Sequence, residues 1–442
     1  MRRDKGIIFE MAAKKLKKAL IITYFFPPAQ SVAGARAFSW AVNFKSSGIH
    51  PTIITRHWKG DETKWADLTK SQSGVLEYEQ LPEYDIYKLP TDRITGLKIY
   101  DKYFSNSKAA SKLIFFFLNV LGHFNTEAET RTSFKTFLKN HLKNNNYDIL
   151  IVSSPPLNII RLAVELKKEY NIPLHIDFRD LWNNEYMNAR YVPSFKIKLF
   201  DGLKQLYLKK WMKSANSVST VSEPIAGYLE EKFKKKPWVL TNGFQEELYK
   251  DLQWKAGEKF RISLMGSYYR QQKLEILIDG LKIFLKGKKP VEVTVLLLGL
   301  HVNESILNNV LQQLPAEFIN VIDRVEAQDA AKYAVNTDII LHAAWSGYKG
   351  IYTTKLFDFV ASGNNILMAP GDHDVADALI NETGTGKIAW DAEQVAEYLE
   401  NWFMEWKTTG KIVYHGNRSL IAHYNRKLIT EEFAIKLKEK YA

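Results

Sequence analysis

The segment Lys349–Leu367 holds the side chains best placed for chemistry. It reads as a loop, a helix from about Thr353 to Ala361, a glycine stop at Gly363 and then a buried strand. A helix that starts there leaves unsatisfied backbone N–H groups and a partial positive charge at its first turn, which suit a diphosphate. Asp358 lies more than a turn further in, where its carboxylate could accept hydrogen bonds from vicinal ribose hydroxyls. A helix that merely packs between two strands would show the same pattern, and on spacing alone both readings stand.

Three other segments follow strand-like runs. Gly266 and Ser267, with Arg270 and Lys273 close behind, combine a flexible turn with two cations and suit a phosphate-bearing ligand. Asp177, Arg179 and Asp180 place two carboxylates and an arginine together, either as a polar site or as an internal Arg–Asp pair. Gly34 and Arg36 lie in a loop that runs into a helix. Gly34 would let the backbone approach a ligand and Arg36 could face an anion, although a structural turn explains the spacing equally well. The loop lacks the GxGxxG fingerprint of dinucleotide-binding dehydrogenases. Asp372-His373-Asp374 superficially resembles a metal-binding DxD, but it follows a strand and begins a helix, so it reads as a cap or turn and no metal site is assigned.

The elements that must position these residues recur in order. Apolar runs at Lys18–Tyr24, Pro51–Thr55, Asp148–Ser153, Pro173–Phe178, Ser217–Val221 and Pro237–Thr241 form one series. Phe260–Met265, Glu292–Leu298, Thr337–His342 and Asn364–Ala369 form a second. Continuous runs of this length suit strands buried on both faces of a parallel sheet. Helical patterns such as Leu157–Tyr170, Ile225–Lys235 and Leu274–Lys286 lie between them, so the expected fold is α/β: two doubly wound, Rossmann-like domains facing a cleft. In such sheets ligands bind beyond the carboxyl ends of the strands, where the residues above fall. The expected divisions are an extension over 1–17, a first domain over 18–245, a second over 256–417 and a C-terminal helical segment over 418–442 that packs back on the first domain.

Composition narrows the classes. The 442 residues include no cysteine, which excludes disulfides, thiolate metal sites and cysteine nucleophiles. No stretch reads as a secretory signal or a membrane span. The net charge is +12 at pH 7. Residues 1–250 hold 39 basic and 25 acidic side chains, a balance of +14, so the whole excess lies in that half. No nucleic-acid motif accompanies it. Simple solubility is one reading and contact with an anionic membrane surface the other. The stretch Gly96–Lys143 sets seven lysines among aromatic residues such as Phe104, Phe115, Phe116 and Phe117, and reads either as a basic amphipathic surface touching lipid headgroups or as ordinary packed helices.

The segment from Lys349 to Gly363 resembles the donor-binding motif of glycosyltransferase family 4, whose members have the GT-B fold. In that family two glutamates flank seven residues; here Gly350 stands at the first position and Asp358 at the second. The subgroup most similar is associated with cell-surface polysaccharide synthesis. Ile22–Arg36, Tyr147–Pro156, Ile172–Trp182, Ser217–Phe233 and Val239–Phe244 resemble further family segments in the same order, so the similarity covers nearly everything from Lys18 to Lys438.

The resemblance implies a retaining transferase that moves a sugar from a nucleotide-diphosphate sugar to a glycan or lipid-linked acceptor. The expected location is cytoplasmic, peripheral on the inner face of the membrane, with no cofactor, no metal and no nucleic acid. By that resemblance Ile351, Tyr352, Thr353 and Thr354 lie against the donor, with amides of the last three and Lys355 on its diphosphate. Arg270 and Lys273 match the family's phosphate-binding pair at an unusual spacing, and Asp358 holds the ribose. Arg179-Asp180 occupies the place where many relatives carry His-Asp facing the transferred sugar. A glutamate usually contacts the donor at the position of Gly350. Its absence, with the shorter Asp358, keeps open a non-catalytic partner that retains the fold. A nucleotide-sugar epimerase or hydrolase is a third reading.

Overall fold

The computed structural model describes residues 16–29, 32–60, 74–104, 107–121, 128–180, 195–269, 271–300 and 304–441. The first apolar run is β1 (Lys18–Thr23), the strand on which the larger sheet is built. With β2 (His50–Arg56), β3 (Glu77–Gln80), β4 (Asp85–Leu89), β7 (Ile149–Ser154), β8 (Leu174–Phe178), β9 (Ser217–Thr220) and β10 (Trp238–Val239) it forms an eight-stranded sheet in the order β10-β9-β8-β7-β1-β2-β4-β3. The pairs β2–β1, β1–β7 and β2–β4 are parallel, and β3 alone is shown running antiparallel, against β4 at the edge. A two-residue antiparallel pair, β5 (Asp92–Arg93) with β6 (Ala128–Glu129), stands apart from it.

The second sheet has six strands: β11 (Phe260–Met265), β12 (Val293–Leu298), β13 (Ile319–Ile322), β14 (Ile339–His342), β15 (Asn365–Met368) and β16 (Gly386–Ile388). Every pairing in it is parallel, in the order β13-β12-β11-β14-β15-β16. Ile262, Leu264, Val295, Leu297, Ile339 and Leu341 on one face and Met265, Leu298, Ile340 and Ile366 on the other are almost wholly buried, as in a sheet covered on both faces. The two parallel, doubly wound sheets expected from the alternation of apolar and amphipathic segments are therefore present.

Contacts divide the chain into two compact units: residues up to Asp177 with Leu206–Ser217 and Thr430 onward, and Phe178–Gln205 with Val218–Ile429. Within the first unit, the last helix (Arg426–Tyr441) sets Phe433 against Trp40 and Phe44, with ring centroids 5.1 and 5.6 Å apart. Leu16 and Lys17, read from the sequence as part of an extension, belong to the fold: Leu16 is buried and the Lys17 N–H donates to Asp148 Oδ2 at 2.9 Å. Residues 1–15 lie outside the described residues.

Candidate functional site

In the six-stranded sheet the chain order runs outward from β11 on one side and from β14 on the other. The carboxyl ends of those two neighbours mark the switch point at which doubly wound sheets bind ligands. Gly266, Ser267 and Tyr268 follow β11, and His342 closes β14. The helix Thr354–Ala361 connects the loop after β14 to β15.

Gly266 sits at φ +80°, where a side chain is strained, and Lys355 Cδ would lie 3.4 Å from a Cβ placed there. Lys355 Nζ donates to the Ser267 carbonyl at 2.8 Å and lies 3.1 Å from the centroid of the Tyr268 ring, a cation–π contact with an otherwise buried tyrosine. Among the described residues no carboxylate pairs with this ammonium. Part of the side chain keeps contact with solvent, yet burial of the ammonium holds it well below the usual lysine range. An enclosed cation without a counter-charge is costly and marks a candidate anion site.

The start of the helix is arranged to the same end. Thr353 is its N-cap, but the hydroxyl makes no capping bond to the first turn. It is hydrogen-bonded to His342 Nε2 at 3.1 Å instead. The first-turn amides therefore lack the side-chain acceptor that an N-cap threonine ordinarily provides. His342 is fully buried; desolvation, with the nearby Lys355 charge adding to it, pushes the imidazole well below its ordinary value, so it is neutral. Gln272, also buried, bridges the two strand ends by donating to the Ala343 carbonyl at 2.7 Å and accepting from the Tyr269 N–H at 3.2 Å.

Asp358 lies one turn deeper. Burial is the main effect on its carboxyl, raising it from 3.8 to about 6, against the opposing pull of the Arg426 guanidinium and a hydrogen bond from Tyr249. Tyr249 and Arg426 carried no signal in the sequence, since neither lies near Asp358 along the chain. His342 was discoverable by the strand-end rule that picked out Gly266.

Gly350 is buried at φ +73°, and a Cβ there would stand 2.9 Å from Ile225 Cγ1 and from Ser222 Oγ. Its N–H donates to Asp374 Oδ2 at 2.5 Å and its carbonyl accepts from Ser222 Oγ at 2.9 Å, so both polar groups are committed within the protein. Asp372 accepts from the N–H groups of Asp374, Ala376 and Asp377, which caps the helix Val375–Thr383. Tyr352 packs on Phe357, with ring centroids 5.1 Å apart. Ile351 and Thr354 are half-buried, Lys273 is exposed, and Arg270 lies outside the described residues.

Arg36, Gly34, Arg179 and Asp180 are the remaining sequence-derived residues. Arg36, expected to face an anion, has Asp177 as that anion: Nη2 lies 2.8 Å from Oδ1 and Nε lies 3.0 Å from Oδ2, with both side chains buried. Burial leaves each ion dependent on the other. Ser153 Oγ donates to the same carboxylate at 3.2 Å. Gly34 permits a close approach of the Phe26 backbone, whose Cα would lie 3.2 Å from an added Cβ. Arg179 is buried and Asp180 exposed, directly after β8. Among the described residues no three or more His, Asp or Glu side chains gather as a metal site would require, and no helix is long and apolar enough to cross a membrane.

The sequence matches no protein-family model and no curated protein. Solved structures are similar over almost the whole chain. Sucrose-phosphate synthase from Thermosynechococcus elongatus aligns with TM-score 0.65 and 13% identity, covering 96% of this chain and 98% of that one. The Anabaena protein HepE, in complex with UDP and glucose, aligns with TM-score 0.58 and 11% identity over 96% and 100%. WaaG, a glycosyltransferase involved in lipopolysaccharide biosynthesis, aligns with TM-score 0.51 and 12% identity over 96% and 98%. At these identities the likeness shows the fold: two parallel-sheet α/β units, as in GT-B proteins.

Proposed function

We propose that the chain is a retaining glycosyltransferase. It would move a sugar from a nucleotide-diphosphate sugar to a glycan or lipid-linked acceptor during cell-surface polysaccharide synthesis, at the inner face of a membrane. The observation that carries this reading is Lys355: a partly enclosed ammonium with no carboxylate partner among the described residues, set between Ser267 and Tyr268 at the first turn of a helix whose N-cap hydroxyl is turned away. A diphosphate supplies the missing negative charge and accepts from the first-turn amides. UDP, which the HepE structure contains, is the first ligand to try.

In this reading Lys355, the amides of Tyr352, Thr353 and Thr354, and the cations Arg270 and Lys273 hold the diphosphate. Asp358 accepts from the ribose hydroxyls. Asp180 and Arg179 act on the transferred sugar. The bond between the anomeric carbon and the diphosphate oxygen breaks, the acceptor oxygen bonds to that carbon on the same face, and the acceptor proton passes to the leaving phosphate. The protein's share is positioning and stabilisation of charge that grows on the diphosphate, strongest where water is excluded. The cations and the helix end do this without a metal.

A thermal-shift panel of nucleotide sugars, followed by mass analysis of the products, tests the proposal. A true donor at a hundred times its Kd stabilises by ~2.7 kcal/mol. Stabilisation together with a glycosylated acceptor is expected. Free sugar as the product would make the chain a hydrolase, an isomerised nucleotide sugar an epimerase, and binding without turnover a non-catalytic partner. Absence of any nucleotide effect refutes the reading.

A further inference from the structure

The helices Thr95–Tyr103 and Lys108–Val120 form a hairpin with a small core of its own: Ile94, Leu97 and Leu118 are buried, with Ile114 packed against them. That core accounts for only part of the apolar side chains. Leu113 and Phe117 on the second helix and Leu121 just past its end stand four residues apart, on one stripe, and are 57%, 53% and 56% exposed. Lys108 and Lys112, also exposed, lead along a neighbouring stripe to exposed Phe116. The first helix repeats the arrangement, with exposed Lys98, ion-paired with Asp92, and exposed Lys102 beside exposed Ile99 and Tyr103. Both helices thus carry lysines four apart next to apolar side chains four apart. The second helix holds no acidic residue, and the first holds only Asp101.

The far end of the hairpin is anchored. The Arg161 guanidinium donates to the Leu121 carbonyl at 2.6 Å and the Tyr207 hydroxyl to the Val120 carbonyl at 2.7 Å. A fixed hairpin that exposes this much apolar surface is unusual for a protein meeting only water. A protein partner would need acidic groups interleaved with its apolar ones at the same four-residue pitch. An anionic bilayer supplies both without register: the aromatic and leucine side chains enter the acyl boundary, while the lysine stems run along it and keep their ammonium groups among the headgroup phosphates. We infer that this hairpin is the membrane-docking element and that its partner is a bilayer surface rich in anionic phospholipid. The inference assigns the surface contact to particular residues and does not depend on the donor site.

Co-sedimentation with phosphatidylcholine–phosphatidylglycerol vesicles and with phosphatidylcholine vesicles tests it on the full chain. The wild type is expected to bind the anionic vesicles far better and to lose that binding as salt rises. Leu113→Glu with Phe117→Glu should weaken binding tenfold or more. Lys108→Gln with Lys112→Gln should weaken it by about fivefold per lysine while leaving the apolar stripe intact. Unchanged melting curves would show that each variant is folded; if the glutamate variant is not, the lysine variant and the wild-type salt dependence still decide. Equal binding to both vesicle types, or wild-type binding by the folded glutamate variant, overturns the inference. So does a dimer dissolved by the glutamates in a protein that ignores vesicles, which would make this face a contact between copies.

Discussion

Asp358→Asn separates the electrostatics of the site from its packing. The folded-state carboxyl is raised from 3.8 to about 6, mainly by burial, even though the Arg426 charge and the Tyr249 hydrogen bond oppose the rise. The sign follows from proton linkage. Below pH 3.8 the carboxyl is protonated in both states; between 3.8 and about 6 the folded protein keeps a proton that the unfolded chain releases. The associated stability is fully present below the unfolded value and is lost as pH rises through about 6. A displacement of about 2 on the pH scale corresponds to ~3 kcal/mol, of which about 2 kcal/mol falls between pH 4.5 and 7. Asparagine does not titrate, so wild type minus Asp358→Asn, measured by urea unfolding across that range, should fall by this amount as pH rises. Ordinary hydrogen-bond and packing losses shift the whole difference curve but do not tilt it. Parallel stability curves would show that the carboxyl is solvated like any surface aspartate, and the description of its surroundings would be wrong.

Three further outcomes are expected. His175 is buried and held down to about 3 by desolvation, while its Nδ1 and Ser217 Oγ lie 2.7 Å apart. Its contribution is therefore intact above 6.5 and drains away toward pH 3 at up to ~1.4 kcal/mol per pH unit, and His175→Phe should flatten that acid limb in urea titrations. Gly350→Glu should lower the melting temperature, because the left-handed backbone alone costs about 1–3 kcal/mol and Ile225 and Ser222 crowd the new Cβ. Turnover, once a donor is found, should survive EDTA; loss restored by magnesium or manganese would show that Lys355 and the helix end do not suffice.

Legibility in the sequence followed burial. β11 and β12 are largely apolar, interrupted by Arg261 and Ser263 in the first and Thr294 in the second, and their bounds agree with the pattern to within a residue. β3, with three of its four residues exposed, and β16, three residues long, offer no such run, because edge strands need bury little. The helix Thr354–Ala361 was legible from Gly363 and the following strand, since glycine stops act locally. What surrounds its charged residues was not. The partners of Lys355 and Asp358 come from the loop after β11, from Tyr249 and from Arg426, and only the tertiary fold brings them together. Arg36 shows the converse: an arginine that suits a ligand by spacing sits in the first turn of a helix and is matched by a buried carboxylate from a strand far along the chain.

The central claim is that Lys355 is the counter-charge for a diphosphate at the helix start, and calorimetric titration of UDP and of uridine into the wild type and Lys355→Ala tests it most directly. Removal of one charge-assisted contact should weaken UDP by roughly ten- to a hundredfold, ~1.5–3 kcal/mol, and leave uridine unchanged, because uridine lacks the phosphates. Equal affinity of both folded proteins for UDP, or the same loss for uridine as for UDP, would contradict the account and place the anion site elsewhere.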